Sequence, residues 1–437
     1  MKKKIILYHP ATHHERFYSF FWIPYSMLAI ASMVAKNYEV IIIDENLEDN
    51  EVDFEYLTEN CLCVGISSMT GHQITGGLSF AASIKNINPN IPIIWGGPHP
   101  TILPDLTIQH PLVDVIVKGQ GEFAFLEITN HLENNTPLNG IENIIFKNQD
   151  RIIYNPSINL KDKRGLPDFP WHLIDLKKYL RNDEKIGTNI LNYVSSQGCP
   201  FECTFCSEVA LYNRKWKSYG VERIISDVEY LITNGNAKAI KFYDANFFVN
   251  IPTVMGFANT LIEKKWGINW AAAGHPKTLN NLKVEQWELL NKSNCSRLLI
   301  GAESGSQEAL DIIKKEITPD IIIELAEKCN KYNVVGSFTF VVGFPNCPDK
   351  FEIEKTMDIA TKIRTIDSRN DVKLHFYAPY PGTPLFDEAV RAGFKNPSTL
   401  EEWARFDYYT IETPWIDSKW EQIVHNFNSE NCSYVHL

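Results

Sequence analysis

The chain has 437 residues and a formal net charge of −11, from 42 Lys and Arg against 53 Asp and Glu. This length predicts two or three domains, and the acidic balance argues against a nucleic-acid partner bound through a general basic surface. Hydrophobic residues make up 44% and charged residues 22%, a balance typical of globular proteins with a sizeable core.

Targeting and redox signals are weak. No apolar stretch approaches the length of a membrane span, and Met1-Lys2-Lys3-Lys4 leads into a strand pattern rather than a signal peptide. The nine cysteines are odd in number and irregularly spaced, so a disulfide framework is not expected. Free thiols are typical of reducing compartments, and we therefore expect a cytoplasmic protein.

Residues 1–150 alternate strand and helix patterns. Short apolar runs bounded by Gly, Pro, Asp or Asn predict strands that are buried on both faces, with helices between them. This alternation predicts an open, doubly wound, Rossmann-like sheet that binds its ligand at the carboxyl ends of the strands. The predicted strands are Ile5–Tyr8, Val40–Ile43, Cys61–Ile66, Pro92–Trp95 and Val113–Val117, and the predicted helices are Tyr25–Lys36, Gly76–Asn86, Thr101–His110 and Glu122–Glu133.

Three loops follow the predicted strands at that edge. Ser67-Ser68-Met69-Thr70 follows the third strand, Gly96-Gly97-Pro98-His99 the fourth, and Gly119-Gln120-Gly121-Glu122 the fifth. Glycine lets backbone approach a ligand closely, although tight turns between a strand and a helix also favour glycine. His99 lies between two prolines, and we interpret it as a rigid loop element rather than a metal ligand.

Residues 151–189 are predicted to connect two domains. The run Leu166-Pro167-Asp168-Phe169-Pro170-Trp171 contains too much proline for a regular helix or strand. We expect Trp171 to pack between the domains.

Residues 190–385 resume the alternation with longer helices. Six strand–helix units predict a partial (β/α)6 barrel, again with function at the carboxyl ends of its strands. The predicted strands are Leu191–Ser195, Ala239–Tyr243, Ile268–Ala273, Arg297–Ala302, Ser337–Val342 and Lys373–Tyr377, and the predicted helices are Val221–Asn234, Pro252–Lys265, Val284–Lys292, Ser306–Lys314, Asp320–Tyr332 and Phe351–Arg364.

A cysteine motif follows the first barrel strand. Cys199, Cys203 and Cys206 have the spacing C-x3-C-x2-C on a loop that contains glycine and proline. Thiolates suit zinc or iron–sulfur clusters, but a closed zinc site needs four ligands, and no fourth cysteine or histidine follows at finger-like spacing. Three thiolates would leave one iron of a four-iron cluster open for catalysis. Three unrelated buried cysteines and a zinc-binding (β/α) protein are the alternatives.

This motif, with Phe205 before its last cysteine, resembles the signature of the radical S-adenosylmethionine (radical SAM) enzymes. The resemblance implies that Cys199, Cys203 and Cys206 hold a [4Fe-4S] cluster whose open iron binds SAM. One electron, from a donor such as flavodoxin or ferredoxin, would cleave SAM to a 5′-deoxyadenosyl radical that removes hydrogen from a substrate carbon. The cofactor carries this reactivity, and the protein positions it and excludes water.

The resemblance also implies where SAM lies. Asp244 and Asn246 take the place near its methionine amino group, although the family's Gly-Glu form of this loop is missing. Glu303 and Ser304 can form hydrogen bonds with the ribose hydroxyls. The predicted SAM contacts are Phe205, Asp244, Asn246, Glu303, Ser304, Gly343 and Tyr377.

The loops of residues 1–150 together resemble those of the cobalamin (B12)-binding domain that precedes the core of one radical SAM class, and Leu166–Trp171 resembles its connector. The D-x-H-x-x-G motif that supplies a cobalt-binding histidine in many cobalamin proteins is absent. The resemblance to this radical SAM class implies a cobalt that has no protein histidine below it and that faces Ser68, Met69 and Thr70. The implied cobalamin contacts are Ser67, Ser68, Met69, Thr70, Gly96, Gly97, His99, Gly119, Gly121 and Glu122.

The resemblance implies a cobalamin-dependent C-methyltransferase with a small metabolite or natural-product intermediate as substrate. Cyclisation or rearrangement on the same architecture, and a non-catalytic cobalamin- or metal-binding module, are the alternatives. The expected domains are the cobalamin-binding domain 1–150, the connector 151–189, the radical SAM barrel 190–385 and a C-terminal cap 386–437. The aromatic residues of the cap are more typical of packing than of a substrate box.

Overall fold

The computed structural model describes residues 2–12, 22–47, 52–347, 350–408 and 410–431. The chain forms two compact units: Met1–Tyr179 with Pro397–Asp407, and Leu180–Asn396 with Tyr408–Leu437. The segment predicted as a single C-terminal cap therefore contributes to both units, and the predicted domain boundaries stay predictions. Within the described ranges, no helix is long and apolar enough to cross a membrane.

The first unit is built on a sheet with the strand order β2-β1-β3-β4-β5-β6-β7. Strands β1 to β5 are parallel, and β6 and β7 extend the sheet antiparallel. Along β1, Ile5 and Leu7 face one hydrophobic core, while Ile6 and Tyr8 face the other. Because both faces are covered, the predicted doubly wound sheet is confirmed. The strands are β1 Lys4–His9, β2 Glu39–Asp44, β3 Cys61–Ser67, β4 Ile93–Gly96, β5 Val115–Val117, β6 Ile144–Asn148 and β7 Arg151–Tyr154.

The helices of this unit differ from prediction at one place. A single helix was predicted over Thr101–His110, but the structure has two short helices that meet at Leu103 (φ −118°, ψ 57°). Pro104 explains the break, because proline disfavours helical backbone at the residue before it. The helices are α1 Tyr25–Val34, α2 Phe54–Thr58, α3 Gln73–Ile87, α4 Pro98–Ile102, α5 Pro104–Gln109 and α6 Glu122–Glu133, with 3-10 turns at Trp171–Leu173 and Leu176–Tyr179.

The β6–β7 hairpin was not predicted. It turns at Gln149, which has a positive φ of 53°, and β6 pairs with β5 from Val115–Phe146 to Val117–Ile144. Two runs of β-branched residues around Asn148 and Asp150 carried a hairpin signal. The connector begins within this hairpin, and its Trp171 packs edge-on against Tyr25 and Phe169.

The second unit is built on a sheet with the strand order β16-β15-β14-β13-β12-β9-β8. Strands β9 and β12 to β16 are parallel, as predicted, and β8 adds an antiparallel edge. The curled sheet is the predicted partial barrel, and β10 and β11 form a separate hairpin. The strands are β8 Arg181–Asp183, β9 Gly187–Tyr193, β10 Ser196–Gly198, β11 Trp216–Ser218, β12 Ala239–Phe242, β13 Asn269–Gly274, β14 Cys295–Glu303, β15 Val335–Val342 and β16 Asp371–Phe376.

The last helix of the second unit covers the sheet edge at β16. The Asn428 amide accepts from Leu374 N at 2.9 Å and donates to Leu374 O at 2.8 Å, so a side chain takes the place of a neighbouring strand. The helices of this unit are α7 Ser207–Tyr212, α8 Val221–Thr233, α9 Ile251–Glu263, α10 Pro276–Asn280, α11 Val284–Lys292, α12 Gln307–Ile312, α13 Pro319–Lys331, α14 Glu352–Ile366, α15 Phe386–Arg391 and α17 Lys419–Asn431, with a 3-10 turn at Phe247–Val249. The short helix α16 Leu400–Trp403 lies between α15 and α17 in the chain but belongs to the first unit.

Candidate cofactor sites

In the first unit, the predicted cobalamin loops follow β3, β4 and β5, which are neighbours in the sheet. Backbone hydrogen bonds join the first two loops: Ser68 N donates to Gly96 O at 3.0 Å, and His99 N donates to Ser68 O at 3.1 Å. Gly97 has φ +94°, and a Cβ there would lie 2.8 Å from Ser67 Oγ and from Ser68 O. Glycine is therefore required where these two loops touch.

The third loop is tied to the second through Thr101. Its hydroxyl donates to Gly97 O at 2.7 Å and accepts from Gly119 N at 2.9 Å. The three loops thus form one hydrogen-bonded rim at the carboxyl edge of the sheet.

His99 lies behind this rim rather than on it. Its side chain is completely buried, Nδ1 lies 3.0 Å from Thr70 Oγ1, and its ring packs at a tilt against Trp403. Burial lowers the pKa of His99 to about 4, so the ring is neutral near pH 7. Within the part of the chain that the structure describes, Nε2 has no hydrogen-bond partner.

The outer side of the rim is open among the described residues. Met69 is 47% exposed although the adjacent Ser68 is fully buried. A Cβ on Gly119 would meet no described atom within 4 Å, and one on Gly96 would meet nothing closer than Val117 O at 3.8 Å. Bare backbone facing open space is the form of cradle that a flat macrocycle can approach closely, so these residues fit cobalamin.

Glu122 is engaged within the protein. Its carboxylate accepts from Lys163 Nζ at 2.7 Å, and both side chains are 3% exposed. Nearby, Gln120 Oε1 accepts from Lys161 N at 2.8 Å. These contacts hold residues 161–163 against the β5 loop, and Glu122 remains a predicted rather than an observed cobalamin contact.

In the second unit, the cysteine loop begins at the β10–β11 hairpin. Gly198 has φ +84°, and a Cβ there would lie 2.0 Å from Lys215 O, so only glycine fits. Between the cysteines, Thr204 N donates to Ile313 O at 3.0 Å, and Thr204 O accepts from Leu385 N at 3.0 Å. The loop is therefore held both to the turn after α12 and to the segment after β16.

Asp244 fixes the start of this loop. Its carboxylate accepts from Ser195 N at 3.1 Å, from Ser195 Oγ at 2.7 Å and from the Ser196 hydroxyl. Asn246 Oδ1 accepts from Phe248 N at 3.2 Å, and the Asn246 side chain also acts to lower the pKa of Cys199. The structure thus gives the predicted SAM contact Asp244 a positioning task at the cysteine loop.

Burial raises the pKa of each motif thiol, to about 11 for Cys203 and about 12 for Cys206, with Cys199 raised as well. Metal ligation needs the thiolate, so a cluster would replace these protons. Lys315 opposes the effect of burial on all three thiols.

Lys315 is a buried cation that sequence analysis missed. Its Nζ donates to Glu303 Oε1 at 2.8 Å, and the two side chains are 7% and 8% exposed. Burial acts to lower the pKa of Lys315, but the charges of Glu303 and Cys203 outweigh it and raise the pKa. Lys315 therefore stays positive beside the thiols.

The donor set suits a cluster. Among the described residues, no group of three or more His, Cys, Asp or Glu side chains is close enough to share a single metal ion. A cuboidal cluster does not require that closeness, because each thiolate binds a different iron. The thiols on one pinned loop, with a cation beside them, fit such a cluster, and their assignment as its ligands stays a prediction.

Glu208 is a second acid that sequence analysis missed. It lies in the first turn of α7, two residues after Cys206, and burial raises its pKa to about 7. In the described part of the chain, its Oε2 is buried and has no hydrogen-bond partner. Its place two residues after Cys206 was the sequence signal for it.

The remaining predicted SAM residues lie at the ends of β14, β15 and β16. Ser304 Oγ donates to Glu352 Oε1 at 3.0 Å, and Glu352 Oε2 accepts from Gly343 N at 3.0 Å. Glu352, which was not predicted, thus joins two strand ends from α14. A Cβ on Gly343 (φ +73°) would lie 2.4 Å from Ile416 Cδ1.

Aromatic rings connect the cysteine loop to the last strand. Phe205 packs at a tilt on Phe344, which packs on Tyr377, with centroid distances of 6.1 and 5.6 Å. Burial raises the pKa of Tyr377. On the other side of the loop, Phe201 stacks on His275 at 3.5 Å, a contact that the sequence did not indicate.

Two family models match the chain: the B12 binding domain over residues 18–129 and the Radical SAM superfamily over residues 193–359. The chain is 29% identical over 402 residues to a protein of Pyrococcus horikoshii named uncharacterized methyltransferase PH0819, covering 89% of this chain and 84% of that protein. It is 24% identical over 323 residues to the anaerobic magnesium-protoporphyrin IX monomethyl ester cyclase of Rubrivivax gelatinosus. That match covers 70% of this chain and about half, 54%, of the cyclase.

The fold is also similar to a solved structure, the radical SAM methyltransferase TsrM from Kitasatospora setae. With cobalamin and a [4Fe-4S] cluster bound, TsrM matches with a TM-score of 0.71 at 14% identity, over 90% of this chain and 79% of TsrM. With tryptophan substrate and a SAM analogue bound, the TM-score is 0.73 at 14% identity, over 90% and 77% of the two chains.

Proposed function

Because this chain belongs to the radical SAM enzymes that carry a B12-binding domain, we propose that it is a cobalamin-dependent C-methyltransferase. Its cofactors are a [4Fe-4S] cluster, SAM and cobalamin. Its substrate is a small molecule methylated at an unactivated carbon, and its electron donor is a protein such as flavodoxin or ferredoxin.

The observation that carries the proposal is the presence of two different loop systems in one chain. One is a rim of glycine and serine backbone at the ends of β3, β4 and β5, with open space at Gly119. The other is the pinned loop of Cys199, Cys203 and Cys206 at the carboxyl end of a partial barrel. Open sheets and barrels of this kind bind ligands at that edge.

The bound groups supply a 5′-deoxyadenosyl radical and a methyl donor. Per product, two SAM molecules and two electrons give one methylated substrate, one S-adenosylhomocysteine, one methionine and one 5′-deoxyadenosine, the last carrying the hydrogen removed from substrate. In this chain, the motif thiolates hold the cluster and Lys315 offsets part of their negative charge. Asp244 holds the start of the loop.

A second candidate is radical cyclisation or rearrangement without methyl transfer. It is favoured by the similarity to the magnesium-protoporphyrin cyclase, which is an ester cyclase by name. Against it stands the longer match to a protein named as a methyltransferase. A third candidate is a cobalamin- or metal-binding module without turnover. It would leave the polar side chains at the strand ends of the barrel without a function. TsrM, solved with tryptophan, supports a small-molecule substrate.

The test is anaerobic reconstitution with iron, sulfide and hydroxocobalamin, followed by reduction and addition of SAM with a deuterated methyl group. We expect about four irons and one cobalamin per chain, and both S-adenosylhomocysteine and 5′-deoxyadenosine as products. 5′-Deoxyadenosine without S-adenosylhomocysteine would favour cyclisation or rearrangement. Neither product would favour the binding module, and bound zinc in place of iron would exclude all radical chemistry.

A further inference from the structure

Glu208 is a half-buried acid beside the cysteine loop that the proposed chemistry does not yet use. Its backbone N–H forms a hydrogen bond to the Cys206 thiol, and its carboxylate acts to raise the pKa of both Cys199 and Cys206. The carboxylate therefore lies close to two of the three motif thiols. Its Oε2 is buried without a hydrogen-bond partner among the residues that the structure describes.

This position is costly for the free protein. A buried carboxylate oxygen without a hydrogen bond loses its hydration and gains nothing in return. The buried cation Lys315 donates to Glu303 at 2.8 Å. The exposed cations Arg214 and Lys314 both pair with Glu202. These three cations of the loop region are therefore engaged with other acids, which leaves Glu208 Oε2 available to a ligand.

The two side chains that the sequence placed near the SAM amino group have other partners. Asp244 already accepts hydrogen bonds from Ser195 and Ser196, and Asn246 Oδ1 accepts from Phe248 N. Glu208 differs because its side chain offers an acceptor that is already desolvated and still unmatched. Such an acceptor favours an N–H donor, and more strongly one that carries positive charge.

We propose that Glu208 accepts a hydrogen bond from the amino group of the SAM molecule bound at the cluster. The proposal rests on the proposed function and deepens it, because it names the residue that holds one end of SAM. SAM offers amino N–H groups and, three carbons further along, a positively charged sulfonium, and both complement a carboxylate. Glu208 thereby takes the task that the resemblance assigned to Asp244 and Asn246, from α7 rather than from the end of β12.

The test uses the reconstituted full chain and the variants Glu208→Gln and Glu208→Met. We expect both to keep wild-type iron content, and the dissociation constant for SAM, measured by equilibrium dialysis, to rise about tenfold or more. The change in the electron paramagnetic resonance spectrum of the reduced cluster on SAM addition should weaken in parallel. A matched control is Glu202→Gln, in the same loop, whose carboxylate pairs with exposed cations; it should bind SAM like wild type.

A second readout separates binding from structural support. If Glu208 is an unmatched acceptor, Glu208→Met removes a desolvated polar group that has no partner, and the SAM-free protein should unfold at a higher temperature, by roughly 2 °C. A structural acid would give a lower unfolding temperature instead.

The proposal is overturned if the Glu208 variants bind SAM within twofold of wild type, or if they lose iron, since Glu208 would then support the cluster. If wild-type protein assembles no cluster or binds no SAM, the proposed function fails first. The two failures are therefore distinguishable.

Discussion

The two candidate cofactor surfaces lie at the same edge of their sheets but differ in charge. In the first unit the rim is neutral: it consists of glycine backbone and serine hydroxyls, and the ring of His99 buried behind it is uncharged near pH 7. In the second unit the charges of Glu208, Glu303 and Lys315 lie close enough to the three thiols to act on the pKa of one or more of them. A large macrocycle can be held by shape and backbone, whereas a cluster needs covalent thiolates and a balance of charge.

The buried Lys–Glu pairs of the two units show the same contrast. Lys163–Glu122, at 2.7 Å, joins residues 161–163 to the β5 loop. Lys315–Glu303, at 2.8 Å, has similar geometry, but Lys315 also acts on the motif thiols. A buried ion pair contributes little net stability, so its effect depends on what lies beside it.

The largest expected effect separates the two units completely. Replacing Cys199, Cys203 and Cys206 together with alanine should reduce iron to background and abolish 5′-deoxyadenosine formation, because no thiolate remains to bind iron. Binding of hydroxocobalamin should persist, since its predicted site lies in the first unit. Iron analysis and cobalamin absorbance measure both. Cys347→Ser is the control and should retain iron; joint loss of iron and cobalamin would contradict the separation.

Acid should destabilise the first unit through His99. Its pKa is about 4 in the native state and 6.5 unperturbed, so between these values the unfolded chain binds a proton that the native chain does not. Stability therefore falls as pH drops through this window, by about 2 kcal/mol at pH 5 and about 3 kcal/mol at the limit.

Urea unfolding of wild type and His99→Gln at pH 7 and pH 5 measures this contribution. The variant lacks the titrating ring, so its loss of stability between the two pH values should be smaller by about 2 kcal/mol. Equal losses in the two proteins would show that His99 is not the group responsible.

Alanine substitutions at two glycines should have a smaller effect, and they should distinguish loss of cobalamin affinity from backbone strain. Gly119 and Gly140 both have positive φ, +67° and +88°, and a Cβ on either would meet nothing within 4 Å among the described atoms. Alanine at either site should cost about 1 kcal/mol of stability, since left-handed backbone disfavours a side chain. Only Gly119→Ala should also weaken cobalamin binding, by about tenfold, as measured by titration with hydroxocobalamin. Equal affinity in the two variants would show that Gly119 does not face the cofactor.

The smallest effect concerns the cluster potential. Lys315→Met removes a buried positive charge, and since the reduced cluster carries one more electron, its midpoint potential should fall by on the order of tens of millivolts. A spectroscopic redox titration without SAM measures the shift. Lys314→Met, which removes an exposed lysine paired with Glu202, should leave the potential unchanged.

The double variant Lys315→Met with Glu303→Gln removes both charges of the pair and should recover most of the shift. If the midpoint potential of the cluster is unchanged in Lys315→Met, the charge of Lys315 acts only on Glu303 and not on the cluster.

Sequence patterns predicted regular elements best where local signals agreed. Glu122–Glu133 and Val284–Lys292 have the predicted bounds, and the six parallel strands of the second sheet lie where apolar runs indicated. The β6–β7 hairpin was missed because its residues lie next to the proline-rich connector. The helix over Thr101–His110 was wrong because Pro104 outweighed the apolar pattern.

The amino-acid sequence alone determined which groups are present at each surface: the C-x3-C-x2-C thiols and the glycines that follow predicted strands. These are local properties of spacing and backbone freedom. Only the tertiary structure decided which acidic side chains already have hydrogen-bond partners, because those partners are distant along the chain. Asp244 meets Ser195 across 49 positions and Ser304 meets Glu352 across 48. Glu208 was left without such a partner, and the reason is that burial and hydrogen bonding are set by packing rather than by spacing.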